Sequence, residues 1–459
     1  MRTVPYDRAA AVAYARRWAM GRNPAYYDFE EIGGDCTNFA SQCLRAGGGV
    51  GLEPVNDVRR PYPEGSQKNR NRDAQKQNSC ADFGKEIYEY DRGDEDKLDE
   101  YCSKATFIFH CAGINRPKEQ SEFMEGNFGF TSTLLSTLKK HNNLAPIVIT
   151  SSVQATLSGR FGDSEYGRSK LAGEELMFSY SAETGAPVYV YRFPNLCGKW
   201  VRPSYNSAVA TFCNAVANDL PFTVNDRSTE LEMLFIDDLL DEFYDCMEGH
   251  PHRADFPKAG EVADGIEYDG VTARLCDDGK YCYAPVTHRA TLGEIIDLLE
   301  KFKTIPQTLM TPDFTPGCFE KKLYSMYLSY LPADKTIFDL NMKVDERGSF
   351  TELWHTPTSG QVSVNITAPG HIVKGLHAHN LKFEWFIVVS GRGLIREKNL
   401  LNGEIREYEV SGEKIQSVVM LPGYSHSIEN LSETEPLITI MTCNENFDPS
   451  HPDTFYEPF

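Results

Sequence analysis

No run of about 18 apolar residues occurs in the chain, so a membrane-spanning helix is not expected. No signal-peptide pattern opens it, because Arg16-Arg17 interrupt the first apolar stretch. Positive charge is in short supply: 46 Lys and Arg stand against 66 Asp and Glu, a net charge of −20. That balance excludes a nucleic-acid partner and an anionic membrane surface, while leaving room for a local site that takes an anionic ligand. The twelve cysteines form no C-x-x-C pair. Cys111, Cys197 and Cys213 sit in apolar runs, which predicts core thiols in a reducing, cytoplasmic compartment. No internal repeat is visible. A composition of 41% hydrophobic and 24% charged residues over 459 positions is that of a globular protein of two or three domains.

The texture changes along the chain. Residues 1–50 read as a helix from Asp7 to Met20, a loop, and a second helix starting near Cys36. Residues 51–84 are polar and rich in Asn, Gln and Pro, which reads as a linker. Residues 85–310 alternate apolar runs (Ile87–Tyr90, Ala105–Ala112, Ile147–Ser151, Val188–Phe193) with helical patterns. That alternation predicts βαβ units and a parallel sheet, so the fold class is α/β here. Residues 311–334 connect to 335–459, where strand patterns are broken at Gly391-Arg-Gly393, Asn402-Gly403 and Pro422-Gly423; an all-β barrel or jelly roll is expected.

Within the α/β region, Tyr166 and Lys170 are four apart on a helical pattern and share one face. Ser151-Ser152 end the preceding strand. A carbonyl reductase needs a proton donor at the oxygen and a hydride donor at the carbon. Tyr166 would supply the proton, Lys170 would lower the phenol pKa and hold a nicotinamide ribose, and Ser152 would hydrogen-bond the carbonyl. The alternative is a surface helical pair. Here the pair follows a strand that ends in two serines, which favours catalysis.

This region resembles the extended short-chain dehydrogenase/reductase family, through Phe107–Gly113, Asn127 in Gly126–Gly129, Arg192-Phe-Pro-Asn195 with Gly198, and Phe235–Leu239. The resemblance implies a Rossmann-like, NAD(P)-binding fold with Asp91, Arg92, Ala112, Gly113, Asn127, Pro194 and Asn195 beside the cofactor, together with Tyr166 and Lys170. Arg92 would meet a 2′-phosphate and favour NADPH, or it is a solvated turn residue. For Asn127 a helix or turn hydrogen bond is the alternative, and for Asp237 and Asp238 an N-cap. One part is missing. Such folds seat the pyrophosphate on a G-x-x-G-x-x-G turn after the first strand, and no such turn precedes Glu86. The glycine-rich Ala46–Gly51 follows a helix, not a strand.

In the C-terminal zone, His377 and His379 are two apart on a strand pattern and point to one face. Glu384 follows, and His426 lies on a later strand. Three imidazoles and a carboxylate make a divalent metal site, with zinc the expected ion and other transition metals open. The alternative is a solvent-facing histidine pair. His377-x-His379-x4-Glu384-x6-Gly391 and Pro422-Gly-Tyr-Ser-His426-x3-Asn430 resemble the two cupin motifs. A metal there would polarise a 4-keto sugar's carbonyl and stabilise the enolate of an epimerisation. Lys374 and His371 are candidate proton carriers.

From about residue 85 onward the chain resembles the bifunctional capsular-polysaccharide enzymes that join a reductase domain to a cupin. The matching stretches include Gly113–Pro117, Glu122–Phe130, Tyr166–Glu174, Tyr205–Phe212 and Leu323–Tyr330. The resemblance implies that a zinc cupin epimerises C3 of a UDP-4-keto-6-deoxy-N-acetylhexosamine and that the reductase domain reduces C4 with NADPH, on the pathway to UDP-N-acetyl-L-fucosamine. It also implies a homodimer. Arg202, Tyr205 and Asn206 are candidate UDP-sugar contacts, with a helix start as the alternative. Residues Tyr6–Tyr14 and Gly33–Cys43 resemble the start of a bacterial amidase domain of papain-like fold, in which Cys36 would be the nucleophile. Residues 50–100 supply no His base for it. The chain therefore reads as a joint between an amidase start and a sugar-nucleotide enzyme whose own first strand and glycine loop are absent; a cysteine amidase and a non-catalytic nucleotide-sugar-binding chimera are the other readings.

Overall fold

The structure, a computed structural model, describes Tyr88, Tyr90 and residues 93–458 apart from Asn115, Arg116, Lys118 and Ser359; of residues 373–375 it describes the backbone only. The amidase-like stretch with Cys36, the linker, the Ala46–Gly51 glycines, Asp91 and Arg92 lie outside the described residues. The chain divides into two compact units. The first takes the described residues up to Ala215 with Asp219–Ile295 and Ser325–Tyr330; the second takes Val216–Asn218, Ile296–Tyr324 and everything from Leu331.

In the first unit α1 (Glu95–Lys104) leads to β1 (Ile108–His110). Then come α2 (Ser121–Met124), a π-helical turn (Glu125–Gly129), α3 (Phe130–Lys140), β2 (Ile147–Ser152), α4 (Glu165–Thr184) and β3 (Val188–Phe193). The β-branched run of β2 is buried on both faces. Ile147 and Ile149 pack with Leu138, Met177 and Val190 on one side, and Val148 packs with Tyr191, Leu234 and Phe243 on the other. Period-two alternation between two covered faces is what a buried parallel strand requires. Ile147 pairs in parallel with Ile108 on one side and with Val188 on the other.

The chain continues through β4 (Asn195–Cys197), α5 (Ala208–Ala217), β5 (Glu230–Phe235), α6 (Ile236–Met247) and β6 (Arg253–Asp255). After them come β7 (Val262–Ala263), β8 (Ile266–Glu267), β9 (Arg274–Leu275), β10 (Tyr281–Cys282) and β11 (His288–Thr291). The main sheet runs β1-β2-β3-β10-β6-β9, and a smaller one runs β11-β5-β4.

Two strand expectations need correction. Tyr88 and Tyr90 are not in a strand. The run Ala105–Ala112 forms a strand only over Ile108–His110: Ala105 instead caps α1 through its N–H to Tyr101 O, and Cys111–Ile114 leave the sheet as a loop. Asp237 and Asp238 lie in the first turn of α6, not at its N-cap, which is Phe235.

Three helices follow: α7 (Leu292–Lys303), α8 (Ile305–Thr308) and α9 (Phe319–Leu328). The second unit then builds β12 (Met342–Asp345), β13 (Gly348–Thr356), β14 (Gly360–Thr367), β15 (Ile372–Ala378), β16 (Glu384–Ser390) and β17 (Arg392–Asn399). It ends with β18 (Ile405–Ser411), β19 (Ser417–Met420), β20 (Tyr424–Asn430), β21 (Leu437–Cys443) and β22 (Phe455–Tyr456). They form two antiparallel sheets, β12-β13-β14-β21-β16-β19 and β18-β17-β20-β15-β22, around Phe386, Val388, Ile395, Ile428 and Leu437. The turns marked in the sequence at Gly391, Gly403 and Gly423 all take a left-handed φ, of 83°, 77° and 77°. The architecture is thus a Rossmann-like α/β unit and a second unit that is all-β from Met342 onward.

The start of α4 is fixed by close approach. Ser164 caps it, its Oγ accepting from Gly167 N at 2.9 Å. A Cβ on Gly167 would stand 2.3 Å from the backbone oxygen of Gln154. Gly167→Ala is expected to push the helix off the 153–156 turn and to cost about 1–3 kcal/mol in chemical unfolding, as overpacking does. Unchanged stability would show that α4 has room to move.

Candidate active site and metal centre

The strand–turn–helix of β2 and α4 sets the candidate reductase residues. Ser152 ends β2, and its Oγ accepts from Gln154 N at 3.3 Å, which leaves the hydroxyl hydrogen for another acceptor. Tyr166 lies in the first turn of α4, half-buried, with the Phe123 ring 5.9 Å away. Lys170, one turn on, is buried with Nζ 5.8 Å from the Tyr166 ring centroid. One of its three hydrogens goes to Thr150 O at 3.0 Å. Burial pushes the Lys170 pKa down to about 8, against the opposing charges of Cys111 and Glu174. At neutral pH it remains a cation beside the phenol.

The loop after β1 closes on this set. A Cβ at Gly113 would stand 2.6 Å from Lys170 Nζ and 2.9 Å from Asn127 Oδ1, so any larger residue would have to push the ends of those two side chains aside. Asn127 spends its amide inside the protein: Oδ1 accepts from Ile114 N (2.8 Å), while Nδ2 donates to Ile114 O and Ser169 Oγ (both 2.9 Å). It therefore holds the loop against α4, and its reach toward a ligand is indirect. Ala112 is exposed at the loop, Pro194 is buried, and Asn195 is exposed with Nδ2 donating to Glu232 O at 2.9 Å. Exposed Arg202 lies over the Tyr205 ring at 5.1 Å. The cap of α5 is neither of these. Ser207 serves it, accepting from Ala210 N, so Arg202, Tyr205 and half-buried Asn206 are not needed for the helix start.

Sequence reasoning missed the charges beneath this set. Glu174 is fully buried one turn after Lys170. Arg192 answers it with Nη2 2.6 Å and Nε 3.0 Å from the carboxylate, and Ser151 Oγ donates to it at 2.5 Å. Its helical spacing from Tyr166 and Lys170, at i+8 and i+4, was the available signal.

The four metal candidates come together. His377 and His426 are directly paired across β15 and β20. Glu384 opens β16 in the other sheet, and His379 follows β15. One ligand atom from each lies within 4.8 Å of all the others. Nε2 of His379 and of His426 are buried without a hydrogen bond, 3.6 and 3.4 Å from the Glu384 carboxylate. Burial, with the neighbouring His426 ring adding to it, pushes His377 down to about 4. Burial alone would raise the Glu384 pKa, but the His379, His426 and Lys382 side chains outweigh it and hold the carboxyl well below its usual range. Orphaned imidazole nitrogens facing one carboxylate fit a divalent ion. Buried Lys382, 3.2 Å from Glu384, was not foreseen. His371 is exposed at the start of β15, and the Lys374 side chain lies outside the described residues.

The buried lysine has a measurable consequence. Between about pH 8 and 10.5 the unfolded chain holds the Lys170 proton and the folded chain does not, so this group adds stability as pH rises through that window. Buried thiols act the other way in the same range, because unfolding frees Cys102 and Cys111, which burial pushes up to about 11 and about 12, to ionise, and they are common to both proteins compared. Urea unfolding from pH 8 to 9 should therefore give a more positive stability slope in the wild type than in Lys170→Met. Equal slopes would mean that the ammonium is not desolvated.

The "NAD dependent epimerase/dehydratase family" matches residues 56–255, the "Polysaccharide biosynthesis C-terminal domain" residues 343–455, and the "Putative amidase domain" residues 5–81. The UDP-2-acetamido-2,6-beta-L-arabino-hexul-4-ose reductase of Pseudomonas aeruginosa is 35% identical over 358 residues, 78% of this chain and 87% of that protein. The capsular polysaccharide assembling protein CapF from Staphylococcus aureus is 42% identical, with a TM-score of 0.67 over 80% of this chain and 91% of that one. A structure of CapF with the inhibitor 3-isopropenyl-tropolone is 38% identical, with a TM-score of 0.65 over 85% and 96%. Identity of this extent, spanning both units, shows that the chain belongs to the family of bifunctional capsular-polysaccharide epimerase/reductases, nicotinamide-dependent enzymes that act on nucleotide sugars.

Proposed function

We propose that residues 335–459 form a cupin that epimerises C3 of a UDP-4-keto-6-deoxy-N-acetylhexosamine, and that residues 85–310 reduce C4 of the product with NADPH. The observation that carries this reading is the convergence of His377, His379, Glu384 and His426 on a chain that also carries Ser152, Tyr166 and Lys170. The relative from Pseudomonas is named for reducing a hexul-4-ose, the class of substrate that both steps share. A tropolone, the inhibitor class held by a solved relative, carries adjacent carbonyl and hydroxyl oxygens suited to gripping a divalent ion. We read the enzyme as a cytoplasmic homodimer. Among the described residues no helix is long and apolar enough to cross a membrane.

In the barrel, His377, His379, Glu384 and His426 would hold a divalent ion, zinc in our reading. Bound there, it supplies a Lewis acid to the C4 carbonyl oxygen and so acidifies the C3 hydrogen. The barrel buries His379 and His426 and keeps their Nε2 atoms from competing hydrogen bonds.

In the reductase unit, NADPH supplies the hydride that C4 receives. Tyr166 gives its phenolic proton to the C4 oxygen, Ser152 holds that oxygen with its free hydroxyl hydrogen, and the Lys170 ammonium favours the phenolate left behind. The two Lys170 hydrogens not taken by Thr150 O suit a ribose hydroxyl. Arg202, Tyr205 and Asn206 would contact the UDP-sugar. Because no G-x-x-G-x-x-G turn precedes the first strand, we expect NADPH to be held weakly and C4 reduction to lag behind C3 exchange.

Incubation with the 4-keto sugar in D2O should place deuterium at C3, and a chelator should abolish the exchange. Metal-loaded protein that exchanges nothing would contradict the cupin assignment. Tyr166→Phe should lower NADPH oxidation by about 10²- to 10⁴-fold, the usual worth of general acid catalysis, and leave C3 exchange intact.

A further inference from the structure

The segment after β21 returns across the metal strand. Phe455 and Tyr456 in β22 pair with Ala378 and His377 in β15. Glu457 N donates to Leu376 O at 2.7 Å, and Ser425 Oγ, one residue before His426, donates to Glu457 O. Between β21 and β22, Asp453 makes two kinds of bond. Its main-chain oxygen accepts from His379 Nδ1 at 2.5 Å. Its carboxylate accepts from three successive amides, those of Asn380 (2.8 Å), Leu381 (2.7 Å) and Lys382 (2.8 Å).

We propose that Asp453 is a positioning residue for metal binding in the barrel: it fixes the tautomer of His379 and the turn that joins His379 to Glu384. This rests on the metal reading above. A carbonyl oxygen can only accept, so His379 Nδ1 must carry the hydrogen. The lone pair is then on Nε2, the buried nitrogen that faces Glu384. Imidazole ligands in metal sites are commonly set in this way by a partner on the far nitrogen. The Thr454 Oγ1 lies 3.4 Å from the same Nδ1 and does not replace the carbonyl, which is closer.

The carboxylate does the second half. Three N–H groups of one turn converge on one side chain, and an anion is the acceptor that suits them best. That turn is the whole connection between His379 and β16, which Glu384 opens. It also carries Lys382, whose Nζ stands 3.2 Å from Glu384. Without the carboxylate, three donors lose their partner, and the spacing between two ligands is no longer set.

Zinc affinity of the full chain, measured by competition with a chromophoric chelator at fixed pH, tests this. Asp453→Ala should bind zinc about 10- to 100-fold more weakly than wild type, the usual cost of losing a residue that orients a ligand. Asp453→Asn keeps the shape and the main-chain carbonyl while turning an NH2 toward the amide donors; it covers the case in which the alanine variant does not fold, and it should also bind more weakly. Cobalt(II) in the site should show an altered visible spectrum in both variants. Zinc affinity equal to wild type in a folded variant would overturn the proposal, whatever happens to its melting temperature. If wild type and His379→Ala bind zinc equally poorly, the metal reading itself falls and the role of Asp453 with it.

Discussion

A carboxylate with no access to water must be answered within the protein, and Glu174 is answered from two strands at once. Arg192 on β3 meets both of its oxygens, and Ser151 on β2 donates to one of them. The guanidinium is covered in turn by the Tyr281 ring at 3.9 Å and the Phe256 ring at 5.1 Å. Removal of Arg192 or of Glu174 would leave the other charge buried and uncompensated, at about 3–5 kcal/mol. The same network carries the site. Ser151 precedes Ser152, Glu174 follows Lys170 by one turn, and Arg192 stands just before Pro194 and Asn195. The candidate reductase residues thus stand on the same elements as an ion pair that lies beneath them.

The all-β unit meets a similar demand by a different route. Its imidazoles face each other and a carboxylate, with ring centroids 4.5 Å apart for His377 and His426 and 4.9 Å for His377 and His379. Two sheets contribute, so the four candidate ligands come together only when both are in place. The register shift between Val373 and His377, with Leu376 at a φ of 65°, sits directly before the first candidate ligand. Bulges of this kind re-aim a side chain at the cost of local ladder bonds.

Much of this was legible in the residues. The alternating runs at Ile147 and Val188 mark two central strands because both faces of a parallel sheet are buried, and Tyr166, Lys170 and the four metal candidates stand out by spacing. Other features were not legible for physical reasons. The run at Ala105–Ala112 looks like one strand, but its first residue caps a helix and its last ones form the loop that Asn127 holds. Glu174 and Arg192 are charges, and their burial depends on a pairing across 18 positions that local pattern cannot show. Asp453 acts 74 residues from His379, through a main-chain oxygen that every residue has.

The central claim is that one chain performs two chemically different steps on one sugar. A single reaction in D2O with unlabelled NADPH in excess, analysed by mass spectrometry and proton NMR, tests it most directly. The account predicts a 4-hydroxy product with deuterium at C3 and protium at C4. A reduced product with protium retained at C3 would contradict it, because reduction would then proceed without epimerisation.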